Sequence, residues 1–335
     1  MNDSRRWPLR PGPGRRVLSL TPVLALALAV SALAVPAEQG AALRDGVLVA
    51  PARGLAYVMR PGGGIDAVDL ASGAVRWHSD AASKPLVLAG NRLVAQAESA
   101  AGTLDVVALD AQGGARGAST RVPLPAGVAA SVVDTAQRSF RVYAGGAGPQ
   151  LVVQWESSAV AAVDAPQGYL AAEETGQAPS IGGSALVTVD GSLVEGKATP
   201  SAAATAAVNR PELQELSAPL AKAVSGRQFL SADGRHVLVA QMVDRGDPSN
   251  VYSRRWTIYD RESGARLGSV PALAAAAPFV VRGATLYHVE PAFATRRDGR
   301  LVNHPASLRA VDLRSGNELW KVTIRDSDFH GPFPP

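Results

Sequence analysis

The sequence predicts an all-β fold, a β-propeller of about five to seven four-stranded blades. A D-x-x-x-G motif recurs five times, and its aspartates are separated by 41, 54, 96 and 52 residues. Proline and glycine interrupt the chain every few residues, which favours short strands over long helices. Strand-rich repeats of roughly 40 to 50 residues are typical of propeller blades. The five copies are Asp69/Gly73, Asp110/Gly114, Asp164/Gly168, Asp260/Gly264 and Asp312/Gly316.

Each aspartate and glycine of the motif has a structural role in this prediction. The aspartate carboxylate can accept backbone N–H groups two residues on, and the glycine can adopt the left-handed conformation that closes a turn. In the two clearest copies, A-V-D-L-x-S-G, a tryptophan follows four residues after the glycine and is expected to pack between blades. The structural repeat residues are Asp69, Gly73, Trp77, Asp110, Gly114, Asp260, Gly264, Asp312, Gly316 and Trp320.

A second repeated segment defines the first half of a blade. Lys84 to Val94 aligns without a gap on Ala277 to Tyr287, with a proline, a valine, a glycine and a leucine in common. Each copy predicts a strand, a tight turn at glycine and a second strand. A unit is therefore strand, turn, strand, loop, strand, D-x-x-x-G turn and strand.

The combined pattern, P-x-V-x-x-G followed by A-V-D-L-x-S-G-x-x-x-W, resembles the quinoprotein-type repeat of the PQQ-like β-propeller superfamily. The resemblance is specific at residues 65–94 and 278–320. The superfamily includes quinone-dependent alcohol dehydrogenases, which use eight blades, a calcium ion and commonly a pair of cysteines, as well as non-enzymatic propellers. This chain is shorter and has no cysteine. The resemblance therefore favours the non-enzymatic branch, and we expect no catalytic residue, no cofactor and no metal site.

The N-terminus indicates export. Residues 1–16 carry five arginines against one aspartate, and Val17 to Val35 is almost wholly apolar. Cleavage after Ala34 or after Ala37 fits the small residues found there, and an uncleaved inner-membrane anchor over residues 17–35 is the alternative. We expect residues 1–37 to be the leader and residues 38–335 to form one domain in the periplasm or another extracytoplasmic compartment.

The charge balance excludes a nucleic-acid binder. The net charge of +4 comes entirely from the leader, because residues 38–335 carry 28 positive and 28 negative side chains. A nucleic-acid binder needs clustered Lys and Arg to displace counterions from the phosphates. We therefore expect no nucleic-acid partner, and contact with the membrane only through the N-terminal segment.

One segment departs from the repeat. Residues 197–226 are predicted to be an insertion, and Pro211 to Ser217 is predicted to be a short helix because proline stands at a first helical position with glutamates in the first turn.

Two longer connections are the candidate functional regions. Val243 to Arg255 and Glu290 to His304 lengthen equivalent loops, between the second and third strands of their blades, so they are expected on one face. Their Arg-rich, aromatic composition suits protein contact, although two solvated hairpin ends remain the alternative. The candidate interaction residues are Arg245, Tyr252, Arg254, Arg255, Phe293, Arg296 and Arg297.

These patterns lead to one functional hypothesis and one alternative. The hypothesis is an exported, non-catalytic propeller that serves as a protein-interaction or scaffold module in the bacterial cell envelope. The alternative is a propeller that binds PQQ or another small ligand, including an oxidoreductase. The ends of the fold are expected to meet, with Ala42 to Ala50 and Glu318 to Ile324 in the same or adjacent blades.

Overall fold

Short antiparallel strands make up the described part of the chain. The computed structural model describes residues 39–134, 138–146, 150–159, 180–188, 208–216, 220, 226–243, 251–297 and 299–326. All of these residues belong to the unit that spans Ala34–Pro335, and the other unit, Met1–Leu33, lies outside them. Within these ranges, no helix is long and apolar enough to cross a membrane.

The strands fall into five sheets and one separate hairpin within the described ranges. Sheet A contains β1 (Ala41–Arg44), β2 (Val47–Ala50), β3 (Leu55–Met59), β4 (Ile65–Asp69) and β5 (Val75–Ser79). Sheet B contains β6 (Lys84–Ala89), β7 (Arg92–Gln96), β8 (Thr103–Asp110) and β9 (Arg116–Pro123). Sheet C contains β10 (Arg138–Gly145), β11 (Gln150–Ala159) and β12 (Ser180–Thr188). Sheet D contains β13 (Gln228–Leu230), β14 (His236–Met242), β15 (Arg254–Asp260) and β16 (Arg266–Ala272). Sheet E contains β17 (Phe279–Arg282), β18 (Thr285–Glu290), β21 (Ser307–Asp312) and β22 (Glu318–Thr323), and the hairpin contains β19 (Phe293–Arg297) and β20 (Arg300–His304).

The strands of each sheet pair in sequence order, as expected for propeller blades, except that the β19–β20 hairpin interrupts sheet E. Apolar side chains of neighbouring sheets pack against each other. Four apolar clusters fill the spaces between sheets A and B, B and C, D and E, and E and A. The all-β prediction is confirmed.

The D-x-x-x-G turns have the predicted geometry. The Asp69 carboxylate accepts the N–H groups of Ala71 (3.0 Å) and Ser72 (2.9 Å). Gly73 has φ 74° and donates its N–H to the Asp69 carbonyl at 2.8 Å. Hydrogen bonds from Arg76 and Ser72 hold the pKa of Asp69 at about 2. The same carboxylate-to-backbone bonds recur at Asp110, Asp260 and Asp312; the copy at Asp164/Gly168 lies outside the described residues.

The tryptophans of the repeat join neighbouring sheets, as predicted. Trp77, in sheet A, donates its indole N–H to the Ala111 carbonyl in the turn of sheet B at 3.3 Å. Trp320, in sheet E, donates in the same way to the Leu70 carbonyl in the turn of sheet A at 3.2 Å. Gly73 lies directly against the Trp320 ring, where a Cβ would come within 2.7 Å of it.

The first and last sheets therefore meet through the same contact that joins sheets A and B. Tyr57 and Tyr287 extend the parallel, because their hydroxyls donate to the carbonyls of Ala111 (3.0 Å) and Leu70 (2.9 Å). The apolar cluster at this junction contains both Val47 and Ile324. The expected meeting of the two ends of the fold is thus seen in the structure.

The predicted helix at Pro211 to Ser217 is wrong for the described residues 211–216, none of which is helical. The Leu216 N–H donates to the Gln228 carbonyl, and the Leu230 N–H donates to the Gln214 carbonyl, both at 2.8 Å. At the other end of the segment, the Asn209 N–H donates to the Ala144 carbonyl of sheet C at 3.0 Å. Because the edges of sheets C and D supply these backbone partners, the segment bridges the two sheets instead of forming a helix.

Strand β1 is an extra strand on the inner edge of sheet A. Its residues Ala41 and Leu43 pack with Val289 of sheet E. The Ala42 N–H donates to Oδ1 of Asn209, which adjoins sheet C, at 3.3 Å. A strand that touches sheets A and E and the segment beside sheet C lies at the centre of the sheets, so β1 fills this central region.

Candidate protein-interaction surface

The two inserts connect the second and third strands of adjacent sheets, as predicted. The first insert joins β14 to β15 in sheet D, and the second joins β18 to β21 in sheet E. The facing sides of these sheets share one apolar cluster, which includes Leu238, Trp256 and Leu286. Equivalent connections of neighbouring antiparallel sheets leave the same end of the sheets, so the inserts rise from a common base.

A buried arginine ties the bases of the two inserts together. Arg309, in β21, is 5% exposed and donates to Glu290 at the start of the second insert (2.6 Å) and to Glu318 (2.8 Å). Its guanidinium lies 5.6 Å from the ring centroid of Tyr252, which belongs to the first insert. Burial is the largest single influence and disfavours the charged form, but Glu290, Tyr252 and Glu318 together outweigh it and raise the pKa of Arg309. The Arg309 guanidinium thus stays charged and joins the bases of the two inserts.

A buried histidine lies beside this cluster. His288 is 3% exposed, and its ring meets the Trp256 ring edge to face with centroids 5.0 Å apart. Neither ring nitrogen has a hydrogen-bond partner of ordinary geometry within the described ranges. Burial, followed by the positive charge of Arg309, lowers the pKa of His288 to about 3. The folded protein therefore holds a neutral imidazole at the junction of sheets D and E.

The structure brings several predicted interaction residues to this end of sheets D and E. Tyr252 is half-buried, and burial raises the pKa of its hydroxyl. Phe293 stacks on His304 with centroids 4.4 Å apart, and Arg296 is exposed on the hairpin. Arg297 lies in β19.

The structure describes two of the three remaining predicted interaction residues. Arg254 and Arg255 begin β15 rather than lie in the loop, because their backbones pair with Met242 and Gln241 on one side and with β16 on the other. Arg245 lies outside the described residues. That these side chains contact a partner stays a prediction.

Sequence reasoning missed Arg309, Glu318 and His288. One signal was available for Arg309, which is a charged residue in the otherwise apolar run of β21, three residues before the repeat aspartate Asp312. Asp66 occupies the same position in the first copy, where it pairs with the partly exposed His78 at 3.1 Å. Only these two copies carry a charge at this position, since Val107 and Thr257 occupy it in others, so the repeat pattern does not indicate a buried charge there.

The central region holds a second group of charges, and each is paired. Lys84 is fully buried and lies 2.9 Å from Asp45. Arg141 contacts both Asp45 (3.3 Å) and Asp134 (2.8 Å).

A cavity of about 370 Å³ opens beside these pairs, lined by Arg141, Arg44, Val289 and Pro291 among others. Arg44 pairs with Asp326 at 2.7 Å. The two arginines of the lining thus have carboxylate partners, so neither offers an uncompensated charge to a ligand. No group of three or more potential metal ligands occurs within the described ranges.

Comparison with known proteins gives one family and several distant structural likenesses. A family model described as outer membrane protein assembly factor BamB matches residues 33–211, more than half of the chain. BamB from Moraxella catarrhalis is 11% identical, covers 80% of this chain and has a TM-score of 0.23. Quinohemoprotein alcohol dehydrogenase from Comamonas testosteroni is 12% identical, covers 84% and also has a TM-score of 0.23.

These solved structures are longer than this chain, which spans 60% of the Moraxella catarrhalis protein and 42% of the Comamonas testosteroni dehydrogenase. Likenesses with such TM-scores carry no argument about function. No curated protein matches the sequence significantly.

Proposed function

Because the chain belongs to the family of outer membrane protein assembly factor BamB, we propose that it is an exported, non-catalytic β-propeller that binds a protein in the bacterial cell envelope. The partner belongs to the machinery that assembles outer membrane proteins, and the contact surface is the end of sheets D and E that carries the two inserts. The family match is the observation that carries this proposal. In this proposal the leader is residues 1–37 and the propeller is residues 38–335, with five to seven blades.

Two features of the structure support a binding role over a catalytic one. The central region contains β1 and the ion pair between Lys84 and Asp45, and the arginines that line the cavity beside this pair have carboxylate partners. The bases of the inserts, by contrast, meet at the buried Arg309, which pairs with Glu290 of the second insert and lies over the ring of Tyr252 of the first. A surface whose parts are positioned in advance loses less conformational entropy on binding a partner.

Affinity capture from envelope extract tests the proposal. The full chain, tagged at its C-terminus, is compared with a variant in which Phe293–His304 is replaced by a short Gly/Ser linker and with the control variant Val75→Ser, which alters an exposed apolar residue on sheet A. We expect the wild type and the control to recover the same outer membrane assembly component, and the hairpin variant to lose it. Recovery of no specific partner by the wild type contradicts the proposal.

The alternative of a quinone-binding propeller has its own assay. The purified chain is mixed with PQQ and calcium, and its absorbance and thermal midpoint are measured. If the chain is a non-catalytic propeller without a quinone site, we expect no saturable change in either quantity. A saturable shift accompanied by turnover of an alcohol would replace it with the enzymatic alternative.

A further inference from the structure

The β19–β20 hairpin is a two-stranded sheet of its own. Its strands pair only with each other in the part of the chain that the structure describes. Ring stacking of Phe293 on His304 and the 3.0 Å contact between Thr295 Oγ1 and His304 Nε2 hold the strands together at their base. An isolated two-stranded hairpin is only marginally stable in water, and a third strand stabilises it.

The exposed edge of the hairpin belongs to β20. Four consecutive residues of this strand are exposed, from Arg300 to Asn303, whereas Phe293 to Thr295 of β19 are half-buried. Proteins usually protect an exposed strand edge, because its free N–H and C=O groups can pair with another chain. The edge of β20 is therefore the accessible edge of this hairpin.

Apolar side chains are concentrated at the same place. Of six large apolar residues that are exposed within the described ranges, three lie on the inserts or at their bases, namely Met242, Leu301 and Val302. Successive residues of a strand point to opposite faces, so Leu301 and Val302 place apolar surface on both faces of the hairpin. A partner that covers only one face leaves the other apolar residue in water. A strand added at the edge reaches both faces with alternate side chains.

The hairpin is also basic. Residues 293–304 contain Arg296, Arg297 and Arg300 against Asp298, which gives a net charge of +2 in a region outside the leader that is neutral overall. Arg254 and Arg255 add positive charge at the start of β15, the strand that follows the first insert. Opposite charge on a partner speeds encounter and selects among partners.

We propose that the edge of β20 accepts an extended, acidic segment of the partner protein as a third strand. Backbone hydrogen bonds along the edge supply affinity, Leu301 and Val302 contact apolar side chains on the two faces of the added strand, and the arginines select acidic ones. The inference rests on the proposed function, because it names the chemistry of the partner at the same surface.

A peptide of alternating valine pairs and glutamate pairs, labelled with a fluorophore, tests this docking mode with the full chain, because it carries both residue types on each face of a strand. We expect saturable binding by fluorescence anisotropy. The same peptide with an N-methyl group on every residue has no backbone N–H group to donate along either edge, so we expect roughly tenfold weaker binding or none. The corresponding peptide of valine pairs and lysine pairs is expected not to bind.

Matched charge reversals locate the site. Arg300→Glu is expected to weaken binding of the valine–glutamate peptide at least tenfold. Arg314→Glu makes the same charge change at an exposed position at the other end of sheet E and is expected to leave binding unchanged. Circular dichroism checks that both variants fold. Equal binding of the N-methylated peptide, or binding that Arg300→Glu does not alter, overturns the proposal.

Two further outcomes separate this inference from the proposed function. Binding to phosphatidylglycerol vesicles with no binding of the acidic peptide overturns strand addition in favour of a lipid surface. If affinity capture recovers the same partner with Arg300→Glu as with the wild type, the β20 edge is not the docking site, although the proposed function stands. If the wild type recovers no partner, the proposed function itself fails.

Discussion

Trp320 and Gly268 occupy the same position of the repeat in two different sheets. Trp320 lies at the junction of sheets E and A, and Gly268 lies at the junction of sheets D and E. Both residues follow four positions after the glycine of a D-x-x-x-G turn, and both pair with the residue two positions before the repeat aspartate. Trp320 lies opposite Ala310, and Gly268 lies opposite Ile258. The tryptophan at the D–E junction is Trp256, which lies in β15, next to the outer strand β16.

The difference between tryptophan and glycine at this position changes how closely the backbones of neighbouring sheets approach. At the E–A junction the Trp320 ring packs on the turn of sheet A, and at the D–E junction the turn of sheet E comes directly against Gly268. A Cβ at Gly268 would lie 1.8 Å from the Leu313 carbonyl oxygen. The D–E junction also holds Trp256, His288 and the Arg309 cluster, close to the inserts. The D–E junction, where a glycine stands in place of this tryptophan, is thus the one that supports the candidate surface.

The largest effect is expected for Trp320→Ala. The change removes the ring that packs on Gly73 and the hydrogen bond to Leu70, so we expect a loss of about 3 kcal/mol in the free energy of unfolding. Trp77→Ala removes the same contact between sheets A and B and should cost a similar amount. Chemical denaturation measures both. A much smaller loss for Trp320 would show that the E–A junction contributes less than the equivalent A–B contact.

Gly268→Ala is expected to cost about 2 kcal/mol, because the new methyl group collides with the backbone of Leu313. Gly62→Ala is the matched control, since a Cβ there meets nothing within 4 Å. The two unfolding midpoints are compared in denaturant. Equal midpoints would mean that the D–E junction can open without loss, and the contrast with the E–A junction would disappear.

Turn glycines distinguish conformational strain from close packing. Gly73 and Gly264 both have positive φ (74° and 68°), but only Gly73 lies against a tryptophan. We expect Gly264→Ala to cost about 1 kcal/mol from backbone strain alone. Gly73→Ala should cost about 1 kcal/mol more, because the Trp320 ring must shift. Thermal unfolding of both variants checks the order, and a reversed order would show that contact with Trp320 adds no penalty.

His288 should make the D–E junction sensitive to acid. Its folded pKa of about 3 lies below the ordinary value of about 6.5, so its contribution to stability is full above pH 6.5 and is lost as the pH falls toward 3. Between pH 4 and 6, we expect this histidine to lower the free energy of unfolding by about 1.4 kcal/mol for each pH unit of acidification. His288→Gln should flatten this part of the profile. An unchanged slope in the variant would show that other groups govern the acid sensitivity.

Much of the architecture could be predicted because the repeat acts locally. Asp69, Gly73 and their equivalents satisfy backbone groups only two to four residues away, so their spacing in the sequence is enough to predict the turns. The tryptophans were predictable for a related reason, since the same residue recurs at the same offset from the glycine. Local signals failed at Pro211, where a favourable helix start is overridden by the edges of two sheets.

The sequence by itself determined the strand repeat, the turn chemistry and the position of the two inserts, because each depends on residues close together in the chain. Only the tertiary structure decided that Arg309 is buried between two glutamates, that His288 faces Trp256, and that β1 fills the central region. These features join residues from different sheets. Burial and pairing of such charges depend on which sheets become neighbours. The residue pattern of one strand does not indicate which sheet will pack against it.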